Sequence, residues 1–173
     1  MANQQHIDLL LQGTVDRWNE WRLLNPDIIP DFAEADLSSA ELGEIDLSRA
    51  NLHAANLTDA DLNGAKLHKA HLDQANLTNA NLARAELFEA DLQKAELNNT
   101  ELHGAKFYDA TCKGALFTHA HLEGADLRSA NLEGAVFFHT NLEGAILDEG
   151  QLDQLSTYVD IVMPDGTKRT KKS

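Results

Sequence analysis

Eight histidines, one cysteine and 28 acidic side chains are the groups in this 173-residue chain that could do chemistry. A zinc site needs three or four imidazole, thiolate or carboxylate ligands converging on one point. His119, His121 and His139 are the imidazoles whose spacing invites that role. Ligands must also be held by outer partners, and no carboxylate at fixed geometry is evident beside these three. The many carboxylates are candidates for acid–base catalysis only if a pocket excludes water and shifts a pKa. No Ser stands with His and Asp in a recognisable nucleophile arrangement, and the glycines, in segments such as EGA and NGA, form no phosphate loop. Cys112, the single cysteine, excludes an internal disulfide and any cysteine-rich metal site. The expectation is no catalytic residue, no cofactor and no metal, so the scaffold carrying these groups becomes the informative part.

Composition bounds that scaffold. Lys plus Arg number 14 against 28 Asp plus Glu, a net charge of −14 that repels phosphate backbones and argues against direct nucleic-acid binding. The apolar share of 43% is too high for a disordered acidic tail. No apolar run approaches the 18 residues or so of a membrane span. The first residues lack the basic start and the small-residue cleavage site of a signal peptide. A cytoplasmic protein with no membrane partner is expected.

Self-similarity decides the rest. From Leu37 to Leu147 every fifth residue is a large apolar one, giving 23 centres of which 19 are Leu and the others Phe107, Cys112, Phe117 and Phe137. Two residues before each centre stands Ala in 20 of the 23 frames, the exceptions being Ile45, Thr100 and Thr140. Phe32 and Leu152 extend the same phase by one frame at each end. On a helix a step of five rotates the leucines by about 140°, which makes no stripe; on a straight strand it throws alternate leucines to opposite faces. Leu and Ala can both point inward only if the chain turns a corner once per repeat, which is a solenoid.

Segments such as ADLSS (35–39), ANLTD (55–59), ANLTN (75–79) and ADLRS (125–129) resemble the A(D/N)LXX repeats of pentapeptide-repeat proteins. The segment WNEWRLLNPDIIPD ahead of them resembles the lead-in of cyanobacterial-type members. The resemblance implies an all-β solenoid, a right-handed quadrilateral β-helix with four repeats and 20 residues per coil, hence about six coils. The expected organisation is an N-terminal helical cap over 1–30, the repeat β-helix over 31–152, and a C-terminal cap segment with a basic tail over 153–173.

A 20-residue coil makes residues n and n+20 neighbours, so surface columns can be read off. One column runs Asp46, Lys66, Glu86, Lys106, Asp126 with alternating sign, an arrangement that favours cross-strand pairing. The column beside it runs Ser48, His68, Phe88, Tyr108, Arg128. His68, Phe88, Tyr108 and Arg128 form the candidate interaction patch, because exposed aromatics beside an Arg have the composition of a binding hot spot; Phe88 and Tyr108 are expected to stack. Cys112 is expected to be buried and inert, and Phe117 and Phe137 to meet in adjacent coils as packing.

A solenoid also needs its two ends covered. Ile7, Leu10, Leu11, Val15, Trp18 and Trp21 follow helical spacing, with a kink expected at Gly13 and an end at Asn25-Pro26. Leu116, Val136 and Phe138 are apolar where the family carries polar groups, and form a second patch near the C-terminus. The segment containing Tyr158, Val159, Ile161 and Met163 is expected to fold back over that patch or the last coil, or to pair with a second chain. Lys168, Arg169, Lys171 and Lys172 are expected to be a solvated tail without regular structure.

The reading of function is a non-enzymatic protein–protein interaction scaffold, monomer or weak dimer, with an unidentified protein partner. The resemblance implies an alternative, since some family members are acidic mimics of B-form DNA that bind DNA gyrase. The charge of −14, with −13 of it between 31 and 150, fits that alternative. The unbroken phase, with no looped insertion, and the short rod argue against it.

Overall fold

The computed structural model describes residues 2–172, with only the backbone of Lys171 and Lys172, so the solvated side chains expected there fall outside the described residues. The period of five is built from corners. Ala35 N–H donates to Phe32 O at 3.0 Å, closing a four-residue turn whose third residue, Glu34, has φ 62°. Positive φ at that position alone is the type II pattern, and it returns at every fifth residue from Glu34 to Gly144. Each corner swings the chain inward, so successive centres point to the same axis.

Between corners the backbone pairs with the coils above and below. Leu37 N–H donates to Asn56 O at 2.8 Å and Asn56 N–H to Ala35 O at 2.9 Å. Parallel bridges join residues 20 apart along four walls, which begin Asp31↔Asn51, Asp36↔Asn56, Glu41↔Asp61 and Asp46↔Lys66. Leu62, Leu67, Leu72, Leu77 and the alanines between them are wholly enclosed. Phe117 meets Phe137 at 4.8 Å between ring centroids and Phe107 at 6.4 Å, both edge-on, filling the axis where Leu is replaced. Thr100 and Thr140, buried in the alanine column, satisfy their hydroxyls by donating to Leu97 O at 2.8 Å and Phe117 O at 2.5 Å.

The N-terminal end is covered by two helices rather than one kinked helix: α1, Gln4–Leu11, and α2, Val15–Leu24. Asn3 caps α1 by accepting from Gln5 and His6 N–H, and Thr14 caps α2 by accepting from Arg17 N–H. Gly13 separates them, and a Cβ there would lie 2.6 Å from Leu9 O. The helices bond the unpaired backbone of the first coil through side chains. Trp18, fully enclosed, donates Nε1–H to Asp46 O at 2.7 Å. Asn19 donates to Glu44 O at 3.1 Å and accepts from Asp46 N–H at 2.8 Å. Arg22 donates to Ser48 O at 3.1 Å, and His6 Nδ1 accepts from Asp31 N–H at 3.1 Å.

At the other end the phase shifts by one residue. Strand β1, Val136–Phe138, pairs in parallel with β2, Thr157–Val162, in the register Val136↔Thr157, a step of 21. The extra residue is absorbed at the left-handed Gly150 (φ 77°) and the single 3₁₀ turn Gln151–Gln154. Leu152 therefore does not continue the series of centres. It is half-buried, while Gln151 turns inward and donates to Leu127 O at 2.6 Å and Ala130 O at 2.8 Å. Strand β3, Lys168–Lys172, runs antiparallel to β2. The basic segment expected to lack regular structure is thus an edge strand, with Lys168 and Arg169 suited to blunting that edge.

Candidate functional site

The wall of the candidate patch is set by the bridges Asp46↔Lys66, Lys66↔Glu86, Glu86↔Lys106 and Lys106↔Asp126. The side chains two residues on, His68, Phe88, Tyr108 and Arg128, therefore line up beside them on the same outward surface. Phe88 and His68 are half-buried, whereas Tyr108 is 41% exposed and Arg128 stands out to solvent. The ring partner of Phe88 is His68, at 6.3 Å and edge-on, and no Phe88–Tyr108 ring pair occurs among the described residues. Lys106 Nζ sits 5.6 Å from the Phe88 centroid while pairing with Glu86 Oε1 at 3.0 Å. Arg128 turns back to its own strand, gripping Asp126 through Nε at 2.9 Å and a terminal nitrogen at 2.6 Å. That grip holds the Asp126 carboxyl below the usual carboxylate range and raises the guanidinium pKa. The result is an aromatic strip flanked by the ion pairs Lys106–Glu86 and Arg128–Asp126.

Leu116, Val136 and Phe138 stack along another wall and are half-buried. Strand β2 continues that wall past Val136 and Phe138, with Thr157 and Val159 as their register partners and Tyr158 pointing inward. The C-terminal segment thus lies on the last coil as a further rung of the same sheet.

The histidines do not gather as their spacing invites. His119 and His139 stack face to face at 4.8 Å. His121 stands on a neighbouring wall, 3.4 Å from Glu123 Oε1 and 5.8 Å in ring separation from His103. His103 lies between Glu101, at 2.6 Å, and Glu123, at 3.0 Å. On a further wall, ligand atoms of His71, Asp73 and Asp91 come within 4.8 Å of one another, with His53 Nδ1 2.5 Å from Asp73 Oδ2. This grouping was not singled out from the sequence, although the 20-residue step places Asp73 beside His53 and Asp91 beside His71.

Cys112 is enclosed, and burial pushes its thiol up to about 12, with the Asp91 charge adding to the shift. Two clefts of about 220 Å³ each lie at the ends of the molecule, one beside Leu147, Met163 and Arg169 and the other beside Leu9, Gly13 and Arg17. No helix is long and apolar enough to cross a membrane among the described residues.

Residues 31–68, 55–93, 65–104, 85–122 and 115–152 match the family described as Pentapeptide repeats, in eight copies. A comparison with curated proteins gives no match. Among solved structures the chain is similar to HetL, a pentapeptide repeat protein involved in heterocyst differentiation regulation from the cyanobacterium Nostoc sp. strain PCC 7120. The identity is 34% over 83% of this chain and 78% of HetL, with a TM-score of 0.38. It is also similar to Rfr23, a pentapeptide repeat protein from the cyanobacterium Cyanothece 51142, with 25% identity over 76% and 94% of the two chains and a TM-score of 0.27. A third likeness is to QnrB1, a plasmid-mediated fluoroquinolone resistance protein, with 21% identity over 68% and 55% of the chains and a TM-score of 0.49. The fold such repeats imply is the right-handed quadrilateral β-helix, in keeping with four bridged walls and a corner every five residues. With the repeat family matched continuously from residue 31 to residue 152, well over half of its length, the chain belongs to the pentapeptide-repeat family.

Proposed function

We propose that the protein is a non-enzymatic scaffold of about six coils that binds a protein partner through a side wall, as a cytoplasmic monomer or weak dimer. The observation that carries this reading is the strip of His68, Phe88, Tyr108 and Arg128, held in fixed register by the ladder beneath it. A rigid wall presents its side chains without an ordering cost on binding, and aromatic and Arg residues contribute most to binding hot spots.

The test is affinity capture from a native extract with the wild-type chain and the Phe88→Ser/Tyr108→Ser double variant. A partner held by the first and lost by the second, with unfolding free energies within about 1 kcal/mol of each other, is the expected result. Equal capture by both, or a large loss of stability in the double variant, would make the strip a packing feature.

The second reading is an acidic DNA mimic that binds DNA gyrase. Its support is the charge of −14, of which −13 lies between residues 31 and 150. A gyrase supercoiling assay with added protein decides it: dose-dependent inhibition or protection from a quinolone supports the mimic, and unchanged supercoiling removes it.

A further inference from the structure

We infer that the wall carrying His71 binds a divalent first-row transition-metal ion of the zinc class, through His71, Asp73 and Asp91. His71 and Asp91 are bridge partners in adjacent coils, and Asp73 stands two residues beyond His71 on the same outward surface. One ring nitrogen and one oxygen from each carboxylate lie within 4.8 Å of one another. Ligand atoms placed tetrahedrally about 2.1 Å from zinc stand about 3.4 Å apart, so closure asks only for rotation of exposed or half-buried side chains. The backbone ladder already holds all three Cα positions.

Two further contacts orient the carboxylates from outside, as metal ligands require. His53, one coil before, places Nδ1 2.5 Å from Asp73 Oδ2. Gln93 donates its side-chain amide to both Asp91 oxygens, at 3.3 and 3.2 Å, and its backbone N–H to Asp91 Oδ1 at 3.0 Å. One imidazole with two carboxylates suits zinc, cobalt, nickel or manganese, whereas calcium and magnesium prefer shells made wholly of oxygen. Water would complete the coordination on the solvent side.

The experiment is calorimetric titration of the metal-free full chain with zinc chloride at pH 7.5, for the wild type and four variants. One ion per chain is expected, with binding at least about tenfold weaker in His71→Ala and in Asp91→Asn. His53→Ala should weaken binding by up to about tenfold, because it removes an orienting contact. His139→Ala should bind as the wild type does, since it disturbs the His119–His139 stack and the 3.8 Å contact of His139 Nδ1 with Asp160 Oδ2, both away from the His71 wall. A large excess of magnesium should not displace zinc. All four substituted side chains point outward, and equal thermal unfolding in chelator checks that each variant is folded. No saturable binding, unchanged affinity in His71→Ala, or an equal loss in His139→Ala would overturn the assignment. Visible absorption of the cobalt-loaded chain, lost in His71→Ala, is the independent readout.

Discussion

Cys112 shows how the surroundings of one residue decide its chemistry. It occupies a position that 19 of 23 frames give to leucine, and it is wholly enclosed there. Burial pushes its thiol up to about 12, so the reactive thiolate is scarcely populated at neutral pH. An aromatic disulfide reagent at pH 8 should leave the native chain unlabelled over an hour and label it stoichiometrically in guanidinium. Rapid native labelling would mean that the coil opens locally. The same shift has a stability consequence. The folded thiol keeps its proton above the ordinary thiol pKa of about 8.5, so its contribution is complete below that pH and declines as pH rises toward 12. The unfolding midpoint of Cys112→Ala should therefore fall less steeply above pH 9 than that of the wild type.

At the scale of elements the ends are where sequence and structure part. The corner at every fifth residue was legible because each repeat obeys one constraint, a buried Leu and a small Ala around the same turn. The N-terminal apolar spacing continues on both sides of Gly13 from Ile7 to Trp21, which reads as one helix kinked there and not as two. The division places Trp18 inside and leaves Leu11 49% exposed, although both fit one helical stripe. Gly13 makes that turn possible because it has no Cβ to meet Leu9 O. Gly13→Ala puts a methyl 2.6 Å from that oxygen, so a urea midpoint should report a loss of about 1–3 kcal/mol. An unchanged midpoint would mean that the two helices shift freely on the first coil. At the C-terminal end Leu152 keeps the five-residue phase in sequence, but the turn at Gly150 adds a residue and only pairing with Val136–Phe138 reveals it. The walls were legible as columns once a 20-residue step was assumed. Which neighbour Phe88 would face was not, since side-chain rotation chose His68 over Tyr108. The grouping of His71, Asp73 and Asp91 lay within reach of the same arithmetic.

As a whole molecule the protein is close to one-dimensional, because each coil bonds only to the coils on either side of it. Stability in such an array is a sum of coil and interface terms, and opening begins at the ends. The two ends are not equivalent. The helices bond the first coil at Asp31 and from Glu44 to Ser48, whereas Asp36, Ser38 and Glu41 at the same end are exposed. At the far end β2 extends the walls of Val136 and Asn141, and Ile146 is left 48% exposed. Native-state hydrogen exchange should read these differences directly. Amides between Leu72 and Leu97, bonded to coils on both sides, should exchange only through global unfolding and respond most strongly to denaturant. Amides of β2 and β3 should exchange first, through an opening that costs far less. A gradient from the centre outward supports additive coils. Uniform protection from Phe32 to Val162 would show that the chain unfolds as one unit, with the caps as firmly seated as the core. In the first case a partner bound on the central wall leaves end-fraying unchanged, and in the second it slows exchange everywhere.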